Sequence, residues 1–134
     1  MESCFATAEE LARHTVMVVD DFDDTRLMMK LWLEKKGYRV VEAENGDDAV
    51  RVAEAERPDL IIMDVEMPVA DGLSATRRIR SLELLSDVPI IAVSAYGADE
   101  YRDRALQAGC NEYVSTPFEP TVLEELMKNL LAAT

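Results

Sequence analysis

Three short runs of the chain are apolar at every position: Val16-Met17-Val18-Val19, Leu60-Ile61-Ile62-Met63 and Ile90-Ile91-Ala92-Val93. Runs of this length without alternation mark strands covered on both faces, as in a parallel sheet sandwiched between helices. Between them lie segments with helical spacing and recognisable stops. Strands are predicted over about 15–20, 38–43, 59–64, 89–94 and 112–115. Helices are predicted over about 24–36, 45–57, 73–82, 98–108 and 120–132. Gly37 and Gly109 stand just past helix ends, where a left-handed residue closes the last turn. Asn45 is placed to cap the second helix, and Pro58 to stop it. Five strands each followed by a helix predict an α/β fold, a doubly wound five-stranded parallel sheet. Residues 1–14 precede this pattern as an N-terminal extension, leaving 15–134 as one domain.

The first helix is read with a buried stripe of Met28, Met29, Trp32 and Leu33, which leaves Leu27 and Leu31 on its outer flank. A pair of outward leucines one turn apart is either a docking surface or two isolated surface residues. The last helix carries Val122, Leu123, Leu126, Met127, Leu130 and Leu131. Most of these are expected in the core, and the outermost keep a homodimer face open.

Composition narrows the class. The chain has 134 residues, 49% hydrophobic and 31% charged, enough for one globular core. Its 27 acids against 14 Lys and Arg give a formal charge of −13, which disfavours nucleic acid as a partner. No apolar run approaches the roughly 20 residues that span a bilayer. No signal-peptide pattern opens the chain. Two cysteines, Cys4 and Cys110, make no disulfide framework, so a reducing cytoplasm is the expected compartment. Cys110, beside Gly109, is expected to fill core space.

The strand ends carry the candidate chemistry. In an open α/β sheet, ligands bind beyond the carboxyl ends of the strands. Those ends read Asp20-Asp21, Asp64, Ser94-Ala95 and Thr116-Pro117. If the first and third strands are neighbours, three carboxylates converge, and like charges in contact raise one another's pKa. A divalent cation resolves the conflict; oxygen ligands of this kind suit Mg²⁺, which accepts a further oxygen from a phosphate.

The chain resembles the receiver domain of two-component response regulators. The matching residues are Val18-Val19-Asp20-Asp21, Asp64 with Met67-Pro68 and Asp71-Gly72, Ser94-Ala95, Ala108-Gly109, and Tyr113 through Phe118, over about 15–132. The resemblance implies a CheY-like, flavodoxin-like sheet of order 2-1-3-4-5. It implies that Asp64 accepts a phosphoryl group from a histidine kinase or phosphotransfer protein. Asp20, Asp21, Asp64 and the backbone carbonyl of Glu66 would hold Mg²⁺. Ser94 would hydrogen-bond the new phosphoryl group, and Tyr113 would turn inward as the switch that alters a protein-interaction face.

One position departs from the family. A lysine normally precedes the proline at 117, and here that residue is Thr116. A hydroxyl donates one hydrogen bond without charge, and charge-assisted bonds are about twice as strong. Weaker stabilisation of the phosphoryl group and weaker switching are therefore expected. Glu66 is either a tuner of acyl-phosphate hydrolysis or a solvated loop acid.

Two other readings stand beside this one. Asp21-Phe22-Asp23-Asp24-Thr25 matches the short signature of haloacid-dehalogenase-like phosphatases, with Asp21 as nucleophile, but leaves Asp64 and Met67-Pro68 unexplained. Thr116 also fits a phosphate-independent interaction module on the receiver fold. The reading adopted is a stand-alone receiver that acts on a downstream protein partner, phosphorylating and dephosphorylating only itself.

Overall fold

The computed structural model describes residues 14–65, 72–94 and 99–132. In chain order these form β1 (Thr15–Val19), α1 (Asp23–Lys35), β2 (Arg39–Ala43), α2 (Gly46–Glu56), β3 (Leu60–Asp64), α3 (Gly72–Arg80), β4 (Ile90–Ser94), α4 (Asp99–Ala108), β5 (Glu112–Ser115) and α5 (Pro120–Ala132). A 3₁₀ turn, Glu83–Leu85, lies between α3 and β4. All strand pairs are parallel and the sheet order is β2-β1-β3-β4-β5, as the family resemblance implies.

The uninterrupted apolar runs have a direct structural cause. Alternate residues of a strand point to opposite faces. Met17, Val19, Ile61, Met63, Ile90 and Ala92 enter one core with Ala49 and Ala53 of α2, Leu73 and Ile79 of α3, and Ala105 of α4. Val16, Val18, Leu60, Ile62 and Ile91 enter the other, with Leu33 of α1 and Leu123, Met127 and Leu131 of α5. Neither face sees water, so neither can be polar.

Helix ends follow the local chemistry. The Asn45 side chain accepts the Asp48 N–H at 2.8 Å and starts α2. Arg57 takes a left-handed φ of 47°, donates its N–H to Ala53 and is followed by Pro58. Gly37 and Gly109 have φ of 102° and 117°. At Gly109 a β-carbon would also meet Cγ of Arg80 at 2.8 Å. That arginine is itself held, its Nε donating to the Gly109 carbonyl and its NH2 to the Asn111 side chain. Cys110 is buried in the first core, and its sulfur lies 3.7 Å from the Thr76 hydroxyl.

Two expectations need correction. Met28 is not part of the buried stripe of α1; it is 72% exposed. The helix turns about 100° per residue, and the sheet contact centres on Met29 and Leu33, so Met28 swings out beside Leu27. The third helix ends at Arg80 rather than Leu82. The Ser81 N–H is shared between the Arg77 and Arg78 carbonyls, and Leu82 donates to Ile79, so the ladder tightens. Leu85 can then reach the core. The extension over 1–13 lies outside the described residues.

Candidate active site

β1 and β3 are neighbours, with Val19 opposite Met63, so the residues that follow arrive at one rim. Asp20 leaves β1 with its N–H still bonded to Ala43 of β2. Its Oδ1 accepts the Phe22 N–H at 2.9 Å, which turns the chain into α1. Asp64 ends β3 opposite Val93 of β4. Gly72 begins α3 so close that a β-carbon would lie 2.4 Å from the Asp64 carbonyl oxygen. Only glycine allows that approach.

Carboxylate oxygens of Asp20, Asp21 and Asp64 all lie within 4.8 Å of one another. Burial pushes the Asp20 carboxyl above its ordinary value and Asp21 adds to the effect, against the Phe22 N–H, Arg26 and a hydrogen bond with Asp64. Two carboxyl groups can hydrogen-bond only by holding a proton. A divalent cation satisfies the same oxygens without one, so the donor set fits a hard, oxygen-seeking ion.

Ser94 ends β4 almost fully buried. Thr116 is joined to it, its N–H donating to the Ser94 carbonyl at 2.8 Å. Ser94 and Thr116 line the same cleft as the three carboxylates, a hollow of about 410 Å³. Tyr113 lies on β5 opposite Ala92, half-buried against the α2–α4 core. Glu66, Met67, Pro68, Asp71 and Ala95 lie outside the described residues.

The sequence reading passed over several contributors. Phe22, Thr25, Met29 and Phe118 form the outer wall of the cleft. Phe22 is 60% exposed, and the signal available in the sequence was an aromatic directly after two aspartates. Arg26 was also missed. It donates to the Asp20 carbonyl at 2.8 Å and pairs with Asp23 and Glu42. Asp23, the second acid of the phosphatase-like pattern, is exposed, pairs with the largely buried Arg26 and does not join the carboxylate group.

The family described as the response regulator receiver domain matches over residues 16–128. The chain belongs to that family. Receiver domains are signalling modules that take phosphoryl groups from histidine kinases and act on downstream partners. The receiver is 32% identical to the polar-differentiation response regulator DivK of Brucella anthropi, over 87% of this chain and 95% of that protein. It is 36% identical to the phosphate regulon regulator PhoB of Pseudomonas aeruginosa, over 90% of this chain and 52% of that one. The receiver thus spans nearly all of some relatives and about half of others. The receiver domain of the sensor histidine kinase PA1611 from Pseudomonas aeruginosa superposes with a TM-score of 0.82 at 38% identity, covering 89% of this chain and 98% of that one. That structure is described with a magnesium ion coordinated in its active-site cleft. Among the described residues, no helix is long and apolar enough to cross a membrane.

Proposed function

We propose that residues 15–134 form a receiver, with 1–14 as its extension, in which Asp64 accepts a phosphoryl group from a histidine kinase or phosphotransfer protein. The carboxylate trio at the strand rim carries this reading. A carboxylate oxygen of Asp64 attacks phosphorus, an acyl phosphate forms, and the bond to the donor's imidazole nitrogen breaks. Asp20, Asp21 and Asp64, with the Glu66 carbonyl, would hold Mg²⁺, which when bound supplies positive charge for the phosphoryl oxygens. Ser94 and Thr116 offer hydroxyl donors from neighbouring strand ends. Tyr113 is half-buried against the α2–α4 core, and its turning inward would change the face shown to a downstream protein. Hydrolysis of the acyl phosphate resets the state. The setting is cytoplasmic, where kinase-borne phosphoryl groups are available.

Thr116 supports one second reading, a phosphate-independent interaction module, because it removes the charge that would couple phosphorylation to the loops. Intact-mass analysis after acetyl phosphate and Mg²⁺ separates the two. An adduct on wild type that is lost in Asp64→Asn and increased in Thr116→Lys supports the receiver reading. An unmodified wild type that binds Mg²⁺ and still binds its partner favours the module.

A further inference from the structure

The five loops that follow the strands contain Asp20, Asp21, Glu44, Glu66, Asp71 and Glu119, and no lysine, arginine or histidine. This holds by sequence for residues 66–71 and 95–98 as much as for the others. The nearest described cations are already committed. Arg26 is held by Asp23, Glu42 and the Asp20 carbonyl, and Lys30 lies 3.7 Å from Glu42. A phosphoryl dianion on Asp64 beside Asp20 and Asp21 leaves the rim negative even against a doubly charged metal ion.

The same rim is open where charge is lacking. Thr116 and Phe118 line the carboxylate cleft, and Phe118, Thr25 and Met29 are shared with a second hollow of about 290 Å³. That hollow is almost wholly apolar and continues between α1 and the start of α5, along Met28, Trp32 and Pro120. One continuous trough therefore runs from an apolar bed to an acidic end. A long cationic side chain has that shape: methylenes lie on apolar surface while the head reaches polar groups.

We propose that this trough receives a lysine or arginine borne on an apolar helix face of the phosphodonor protein. The partner's cation then occupies the place beside Thr116 and completes the charge of the phosphoryl site. This rests on Asp64 being the phosphoacceptor. A second copy of the chain is a poor occupant, because its own net charge of −13 sets acid against acid. The donor is thereby more than a source of phosphate. It carries part of the machinery, so small-molecule donors are handled poorly and a protein donor well.

The test is the rate of Asp64 modification by acetyl phosphate at fixed Mg²⁺, read by intact mass. Three additions are compared: n-butylammonium, tetramethylammonium at equal ionic strength, and an amphipathic peptide with a leucine face ending in one lysine. A peptide with norleucine for that lysine is the control. Butylammonium and the lysine peptide should speed wild type by up to about tenfold, the peptide at far lower concentration, and the two controls should not. Met28→Glu should remove the peptide's advantage. Thr116→Lys should be fast alone and gain nothing. Amide shifts at Thr116 and Phe118 on adding butylammonium to the Mg²⁺–beryllofluoride form give a readout independent of rate. Butylammonium matching the peptide at every concentration would make this a small-cation site and overturn the docking claim. No response to either, with Thr116→Lys no faster than wild type, would overturn the inference while leaving Asp64 as acceptor. If wild type and Thr116→Lys both bind Mg²⁺ and neither is ever modified, the receiver reading falls and takes this one with it.

Discussion

Replacing Asp20 by asparagine should stabilise the metal-free protein. Asp20 has carboxylate oxygens of Asp21 and Asp64 within 4.8 Å. Two unit charges at that separation repel by about 1 kcal/mol in water-like surroundings and about 3.5 kcal/mol at an effective dielectric of about 20. Retained protons relieve part of this, so removing one charge should gain about 1–3 kcal/mol, or about 4–12 °C in Tm for a domain of this size. Asparagine keeps an oxygen for the Phe22 N–H, so the turn into α1 is retained. The pH profile carries the same sign. Asp20 holds its proton more tightly folded than unfolded, so its own contribution to stability in EDTA is fully present below the unfolded carboxylate pKa. It falls as pH rises through the folded value, and Asp20→Asn should flatten that fall. Excess Mg²⁺ should reverse the order: at about 100 times its Kd it adds about 2.7 kcal/mol to wild type and much less to the variant. Thermal melts by circular dichroism, in EDTA and in MgCl₂, read both effects. An Asp20→Asn protein that melts below wild type in EDTA would refute the reasoning, because the repulsion would then be smaller than the Asp20 contacts it accompanies.

Other substitutions test the frame. Gly109→Ala should cost about 2 kcal/mol in urea unfolding, from a left-handed backbone and a collision with Arg80; adding Arg80→Ala should recover the collision and not the backbone cost. Asn45→Ala should cost about 1 kcal/mol through loss of the α2 cap, measured the same way. In a Cys4→Ser background Cys110 should react with Ellman's reagent only on unfolding, since burial raises its thiol pKa; fast native reaction would contradict its place in the core. Gly72→Ala should lower both stability and acetyl phosphate labelling, because a β-carbon there displaces the Asp64 carbonyl.

The frame was legible because it is written in periodicities. Runs of four apolar residues that include β-branched side chains and are bounded by turn residues read as strands buried on both sides, and Asn45, Gly37 and Gly109 punctuate the helices between them. The carboxylate convergence was legible only conditionally: it requires β1 and β3 to be neighbours, and that order came from the family resemblance rather than from the periodicities. The face of α1 was harder. Residues 27–33 include six apolar side chains around more than half the helix, so the sequence does not say which arc meets the sheet. Only packing against α5 and β1 decides that Leu33 goes in and Met28 stays out. Arg26 and Phe118 were missed for a related reason: each becomes part of the site through neighbours distant in sequence.

The alternation of each strand between two cores has a further consequence. Ile61 and Ile62 are adjacent in the chain, yet they belong to separate rooms divided by a sheet one residue thick. The two rooms come together at the carboxylate rim, where Val18 and Ile62 of one and Val19 of the other line the same cleft. A change of charge there therefore touches the packing of both helical layers at once.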